Sequence, residues 1–124
     1  MKELVWVATG GAIGAVARYL VSLGLTRGLG VGDPFATFAV NLVGSFALGG
    51  LVGLLSRGPV SVELRLFLGV GLLGALTTFS TFSVETSLLL KDRRLVAAAV
   101  NVMGNVVLCL GAAALASWLV QRGS

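Results

Sequence analysis

Hydroxyl side chains, two phenylalanines and a carboxylate are concentrated in one short part of the chain. Positions 77–83 read TTFSTFS, and Glu85 follows two residues later. The stretch 69–74 just before them contains three glycines. Because glycine weakens a helix and hydroxyl side chains compete for its carbonyl groups, we expect a break or kink between Gly74 and Thr78. Carbonyl groups freed at such a break form a small oxygen cage that suits a hard monovalent cation such as Na⁺.

The two phenylalanines in this run, Phe79 and Phe82, lie three residues apart and share one face of a helix that starts after the break. Thr78, Thr81 and Glu85 fall on a neighbouring stripe. Aromatic rings have electropositive edges, so a small anion can lie in the plane of the rings while hydroxyl and amide donors replace its water. The alternative is that both rings only fill a packing core, and the surrounding hydroxyl run is what favours the anion.

Asparagines and hydroxyl residues recur at helical spacing in two further stretches. Thr37, Asn41 and Ser45 follow each other at intervals of four, and Asn101 and Asn105 repeat that interval. Side chains four residues apart stack on one face of a helix. A single asparagine in an apolar helix is usually a hydrogen-bonding contact to a neighbouring helix. Three asparagines aligned with hydroxyls favour a polar track instead.

One arginine, Arg18, lies well inside the first apolar stretch. A charge at that depth in a membrane costs a few kcal/mol or more. Its side chain either extends to the membrane surface beyond Leu25 or faces a water-filled vestibule. Both arrangements place the guanidinium near a pore mouth, where it can concentrate anions.

Four long apolar stretches, at about 4–25, 35–55, 66–90 and 95–120, must position these groups. The chain is 56% hydrophobic and 11% charged, whereas a soluble domain is about 25% charged. A helix needs about 20 mostly apolar residues to cross a bilayer. We therefore predict an all-α membrane protein with four transmembrane helices, the third broken, in a single transmembrane domain over residues 1–124.

The remaining composition excludes several other classes of site and partner. Cations are scattered singly between apolar runs, so no basic stripe is available to follow a nucleic-acid backbone. One cysteine and no histidine exclude a disulfide framework, a zinc site and a histidine base. No nucleotide-binding motif is present, and we predict no enzymatic activity.

The distribution of lysine and arginine residues does not favour either orientation of the chain in the membrane. Four would lie on the side of the termini and four on the other, namely Lys2, Arg57, Arg65 and Arg122 against Arg27, Lys91, Arg93 and Arg94. Since the richer side normally faces the cytoplasm, equal numbers allow both orientations. Two copies inserted in opposite senses would form an antiparallel homodimer with a two-fold axis in the membrane plane.

Small residues recur at helix-packing spacing in the first two spans. Gly10 and Gly14 form one GxxxG motif, and Ser45, Gly49 and Gly53 form a ridge along the second span. Such ridges let helix backbones approach closely. They pack either two subunits together or the helices of one subunit, and the sequence leaves both open.

Three motifs together resemble one known family. They are GGAIGAVARY at 10–19, TFAVNLVGSFALG at 37–49 and GLLGALTTFSTFSVE at 71–85. Over essentially its whole length the sequence resembles the small bacterial fluoride channels of the Fluc (CrcB) family. The third motif is the most specific of the three.

The resemblance implies an antiparallel homodimer with two pores in the plasma (inner) membrane of a bacterium or archaeon. It implies passive exit of F⁻ from the cytoplasm and a structural Na⁺ on the dimer axis. The carbonyls of Gly74 and Thr77 from both subunits would hold that ion. The expected fluoride path comprises Phe79, Phe82, Asn41, Ser80, Thr81, Thr37, Asn101 and Asn105, with Arg18 near the vestibule. Its partners would be fluoride, a second copy and the lipid membrane.

The chain departs from the family pattern at two positions. Ala36 replaces a glycine that often precedes the threonine of the second motif, which leaves the entry of that helix undetermined. Asn101 replaces a tyrosine found in some members, which leaves the role of that position in permeation undetermined.

Two other functions fit a small four-helix membrane protein. A proton-coupled multidrug exporter needs an ionisable carboxylate at mid-membrane. Only Glu85 is available, and it is expected near a helix end. A non-transporting scaffold subunit would need no polar tracks, so the buried donors argue against it.

Overall fold

The computed structural model describes residues 1–123, and every regular element in that range is helical. The helices, in chain order, are α1 (Lys2–Gly28), α2 (Asp33–Arg57), α3 (62–76), α4 (Phe79–Lys91) and α5 (Leu95–Arg122). Helices α3 and α4 together form the third span, Val62–Lys91. All four spans are long and apolar enough to cross a membrane. The predicted all-α architecture with four spans is therefore confirmed.

The helices extend beyond the apolar stretches because charged and turn-forming residues start and end them. Helix α1 has Glu3 in its first turn and Arg27 in its last, which places each charge at the favourable end of the helix dipole. Helix α2 begins at Asp33, and Pro34 occupies its first turn. Proline suits that position because its fixed backbone angle is already helical and its missing N–H has no helical acceptor there.

Two spans contain wide turns that the apolar pattern does not reveal. Residues Arg65–Leu73 of α3 and Gly104–Leu108 of α5 are π-helical, with hydrogen bonds to the fifth residue rather than the fourth. The wide turns change which residues face each neighbour. In α3, Gly69 faces α2 while Gly71 faces α1.

Helix α1 packs along α3 with their backbones in contact. A Cβ atom added at Gly14 would lie 2.9 Å from the carbonyl carbon of Leu72, and one added at Gly71 would lie 2.8 Å from the carbonyl oxygen of Val7. Gly10 is equally close to α3. Any larger residue at these positions would push the helices apart.

Helix α2 packs in the same way along the C-terminal half of α5. A Cβ atom at Gly49 would lie 2.6 Å from the Cα atom of Ala113, and one at Gly53 would lie 2.8 Å from the carbonyl oxygen of Ser117. We call these two backbone contacts, α1 with α3 and α2 with α5, the glycine seams. Both join helices of one chain, so Gly10, Gly14, Gly49 and Gly53 pack helices within a subunit.

Several polar side chains are buried in the interior of the helix bundle. Thr37, Thr78, Glu85 and Asn101 are buried, whereas most leucine and valine side chains lie on the outer surface. That outer surface suits contact with lipid, where an apolar side chain costs nothing to expose. Thr78 lies at the junction of α3 and α4, whereas Glu85 lies within α4 and Asn101 within α5.

Candidate functional site

The third span is interrupted at two consecutive threonines. Thr77 has backbone angles φ −79° and ψ 157°, and Thr78 has φ −152° and ψ 120°, so both are extended. Helix α3 ends just before them, and α4 begins at Phe79. The break predicted between Gly74 and Thr78 is therefore confirmed.

The break changes the hydrogen-bond partners of two amides. In a continuous helix the Thr78 amide would donate to the Gly74 carbonyl and the Thr81 amide to the Thr77 carbonyl. Instead the Thr78 amide donates to Oδ1 of Asn41, at 2.8 Å. The Thr81 amide donates to Oγ1 of Thr78, at 3.3 Å. The carbonyls of Gly74 and Thr77 are thereby released from their usual partners.

Asn41 of α2 binds the broken backbone from the side. Its Nδ2 donates to the carbonyl of Thr78, at 3.1 Å, while its Oδ1 accepts from the amide of the same residue. The second Nδ2 hydrogen reaches Oδ1 of Asn105 on α5, at 2.8 Å. A single side chain therefore satisfies both polar backbone groups of Thr78 and joins three helices.

The asparagines of α5 continue this network. Nδ2 of Asn105 donates to the carbonyl and to Oδ1 of Asn101, at 3.0 and 3.1 Å. Nδ2 of Asn101 donates in turn to Oγ1 of Thr86 on α4, at 3.0 Å. We call the linked residues Asn41, Asn105, Thr78 and Thr81 the break cluster.

The two phenylalanines lie together beside a cavity. The ring centroids of Phe79 and Phe82 are 5.4 Å apart, with ring planes at 56°. Phe82 is only 8% exposed, whereas Phe79 is 77% exposed on the single chain. Both line a cavity of about 250 Å³ that Asn41, Ser45 and Asn105 also border.

A second cavity, of about 280 Å³, contains Arg18. Thr37, Thr78 and Thr81 share its wall with Arg18, and Thr78 also borders the phenylalanine cavity. The half-buried Arg18 therefore faces polar groups of α2 and the break. The structure thus brings Arg18 close to hydroxyl groups of two other helices, which its position in the sequence alone did not require.

Asn101 lies apart from both cavities. It borders a groove of about 510 Å³ between the N-terminal halves of α2 and α5, together with Phe35, Phe38 and Arg94. Asn101 therefore shares hydrogen bonds with the break cluster but not its cavities. The sequence does not indicate that Thr86 on α4 is the partner of Asn101, because Thr86 is only one of several hydroxyl residues in that helix.

Glu85 is buried within α4 rather than placed at a helix end. Its Oε1 accepts from the hydroxyl of Thr37, at 2.6 Å. Its Oε2 is buried and has no hydrogen-bond partner within residues 1–123. Sequence spacing gave no reason to pair these residues, because 48 positions separate them along the chain.

Few donors at the break remain available to an anion. The side-chain amide hydrogens of Asn41 and Asn105 are engaged, as is the hydroxyl hydrogen of Thr37. The hydroxyl of Thr81 accepts from Thr78 and keeps its own hydrogen free among the described residues. Ser80 and Thr81 are both exposed on the single chain. Oγ of Ser80 lies 3.3 Å from Oγ1 of Thr78, and because Thr78 donates its hydroxyl hydrogen to Thr81, Ser80 is the donor in that contact. Within residues 1–123, the free hydroxyl hydrogen at the start of α4 is therefore that of Thr81.

The released carbonyls also define what kind of cation the break can accept. Carbonyl oxygens are hard, uncharged ligands, which suit a hard cation of low charge. Within the described residues, no cluster of His, Cys, Asp or Glu could hold a metal ion. The donor set at Gly74 and Thr77 therefore fits Na⁺ better than a divalent transition metal.

Comparisons with known proteins agree on one family. A family model described as "CrcB-like protein, Camphor Resistance (CrcB)" matches residues 5–117. The "Fluoride-specific ion channel FluC" of Shewanella halifaxensis is 49% identical over 110 residues, covering 89% of each chain. The proteins of the same name from Shewanella amazonensis and Shewanella pealeana are 49% and 50% identical over the same length and coverage. This four-span protein, with its break between α3 and α4, belongs to the CrcB family.

Proposed function

We propose that this protein is a fluoride-selective channel that lowers cytoplasmic fluoride by passive export. The observation that carries the proposal is the broken third span, which presents Phe79 and Phe82 beside a cavity that the side chains of Asn41, Ser45 and Asn105 also border. The relatives named as fluoride-specific channels support it.

Passive export suffices because of how fluoride enters a cell. Protonated HF crosses lipid from an acidic exterior and dissociates inside, where the F⁻ is trapped. An interior-negative potential of about 100 mV then favours exit of the anion by about 2.3 kcal/mol. That free energy corresponds to a concentration ratio of about 50.

The pore must replace the tightly held water of F⁻ without binding the ion too strongly to release it. Electropositive ring edges of Phe79 and Phe82 and the hydroxyls of Ser80 and Thr81 attract an anion without a full fixed charge. Arg18 concentrates anions at the entrance. Thr37, Asn41 and Asn105 border the two cavities along this path, whereas Asn101 lies outside them and contributes by holding the side chain of Asn105.

We further propose that the working unit is an antiparallel homodimer in the inner membrane. Ser80, Thr81 and Phe79 are exposed on the single chain, and hydroxyl groups facing lipid at that depth are unfavourable. A second copy would cover them and complete the pore. The carbonyls of Gly74 and Thr77 from both copies would hold a structural Na⁺, which would neutralise the carbonyl dipoles that meet at the dimer axis.

Ion efflux from liposomes containing only this protein tests the channel directly. We expect rapid F⁻ efflux that follows the membrane potential, with protein-free liposomes as the control. Proton-linked efflux of a cationic drug would support an exporter that uses Glu85, and no efflux of either solute would support a scaffold. Either result would contradict the proposal that the protein is a fluoride channel.

Replacing Na⁺ tests the cation separately. We expect that exchange of Na⁺ for a bulky organic cation lowers F⁻ efflux or the stability of the dimer. Equal efflux and equal dimer stability in every monovalent cation would refute the cation site while leaving the channel itself intact.

A further inference from the structure

The side chain of Asn41 binds the backbone of Thr78 at the break. It accepts from the Thr78 amide at 2.8 Å and donates to the Thr78 carbonyl at 3.1 Å. The Thr78 amide would otherwise return to the Gly74 carbonyl, four residues earlier in the same chain. Asn41 therefore competes directly with the hydrogen bond that would close the break.

We propose that Asn41 is the positioning residue of the cation site, acting by holding the break open so that the Gly74 and Thr77 carbonyls stay available. The inference rests on the proposed function, because it concerns the Na⁺ site assigned there. It also gives Asn41 a different role from an anion ligand in the pore.

The hydrogen bonds of Asn41 explain this role. An asparagine amide has two donor hydrogens, and those of Asn41 reach the Thr78 carbonyl and Oδ1 of Asn105. Binding fluoride through Nδ2 would require breaking one of them. The side chain thus fixes the backbone of the break and leaves anion contact to other donors.

Asn105 braces Asn41 from the opposite helix. Its Oδ1 accepts from Asn41 at 2.8 Å, and its own Nδ2 is held by two oxygens of Asn101. The orientation of the Asn41 amide is therefore fixed from α5 as well as from the backbone of the break. Loss of this brace should weaken the effect of Asn41 without abolishing it.

One pair of neighbouring residues allows the proposed cation ligand and the amide bound by Asn41 to be observed in the same signal. Thr77 and Thr78 are the only adjacent pair of threonines in the chain. Threonine labelled with ¹³C at the carbonyl and ¹⁵N at the amide therefore gives one carbonyl–amide correlation in an NMR spectrum. That signal reports a proposed cation ligand, the Thr77 carbonyl, and the amide that Asn41 binds, that of Thr78.

The experiment is a Na⁺ titration of the labelled full-length protein in detergent or lipid. In the wild type we expect the Thr77 carbonyl shift to move with Na⁺ concentration. In Asn41→Ala we expect the midpoint to rise by about tenfold or more, since one hydrogen bond then favours the closed helix. Asn105→Ala should raise it less, by about threefold, and decides the question if Asn41→Ala does not fold.

Thr86→Val is the matched control. It removes two part-buried hydrogen bonds of the Thr86 hydroxyl, one from Asn101 and one to the Phe82 carbonyl, but leaves both hydrogen bonds between Asn41 and the Thr78 backbone in place. Its midpoint should stay within about twofold of the wild type, even if its melting temperature falls as far as that of Asn41→Ala. A general loss of stability would instead move the midpoints of both variants together.

The outcomes separate the two proposals. A wild type that responds to Na⁺, with Asn41→Ala and Asn105→Ala unchanged in midpoint, would overturn the role of Asn41 and leave the cation site standing. Equal rises in Thr86→Val and Asn41→Ala would also overturn it. If the Thr77 carbonyl shift of the wild type does not change with Na⁺ concentration, both the cation site and the proposed role of Asn41 are refuted.

Discussion

The glycine seams and the break cluster hold the helices together in different ways, the first with small residues and the second with polar ones. At the seams, glycines such as Gly14 and Gly49 bring helix backbones into contact, and every backbone bond stays within its own helix. At the break, side chains such as Asn41 replace backbone bonds that have been lost. The seams therefore tolerate no added atom, whereas the break depends on which hydrogen-bonding atoms are present.

The largest effect is expected at a glycine seam. Gly14→Ala places a Cβ atom 2.9 Å from the Leu72 carbonyl carbon, and backbone cannot move aside cheaply. We expect a loss of stability of about 3 kcal/mol or more, measured by unfolding in detergent. Gly11→Ala is the control, because an added Cβ there meets nothing within 4 Å. Since alanine favours a helix over glycine, equal losses in both variants would contradict the seam contact as the cause.

The next largest effect is expected at a buried pair beside the break. Thr37→Val removes the donor to Oε1 of Glu85 and leaves a buried carboxyl group without that partner. We expect a loss of about 1–3 kcal/mol in the same unfolding assay. Thr9→Val, which removes an exposed hydroxyl bonded within its own helix, should change stability by less than about 0.5 kcal/mol. A neutral Thr37→Val would mean that Glu85 finds another donor.

Changes to the aromatic pair should affect function more than folding. Phe79→Ile and Phe82→Ile remove the electropositive ring edges, so we expect F⁻ efflux from liposomes to fall about tenfold with the dimer intact. Phe46→Ile, at a half-exposed aromatic of α2, is the control and should conduct normally. Wild-type efflux in both pore variants would refute a role for the rings in conduction.

The smallest effect is expected from one free hydroxyl. Thr81→Val removes a donor that is available at the start of α4, and we expect efflux to fall about threefold. In Ser83→Ala the lost hydroxyl is already bonded to the Phe79 carbonyl, so efflux should be unchanged. Equal efflux in the two variants would mean that free and engaged hydroxyls at the break are equivalent.

Much of the fold follows from hydropathy and from glycine placement. Apolar length predicts the four spans, and the three glycines before the hydroxyl-rich run that begins at Thr77 predict the break. Both signals are local, since they depend on what a short stretch of backbone can form. The residue types of Asn41 and Asn105 also identified them as unusual within apolar helices.

The pairing of the polar residues could not be predicted. Thr37 and Glu85 are separated by 48 positions, and only the way α2 packs against α4 brings them together. Asn101 has the spacing expected of a pore track, but its side chain donates a hydrogen bond to Thr86 on α4 instead of lining a cavity at the break. Helical spacing states which side chains share a face, but not which neighbouring helix that face meets.

The π-helical turns of Arg65–Leu73 have a consequence for chain length. Each residue of an α-helix advances the side chains by about 100° around the axis. Each residue of a π-helical turn advances the side chains by less than that, because its hydrogen bonds reach the fifth residue rather than the fourth. If one residue within Arg65–Leu73 were deleted, the turns could tighten to α-helical pitch, and the remaining residues would recover most of the lost rotation. The same deletion in α1, which is α-helical throughout, would rotate one end of the helix by about 100°. The wide turns therefore give the third span a tolerance to changes in length that α1 lacks.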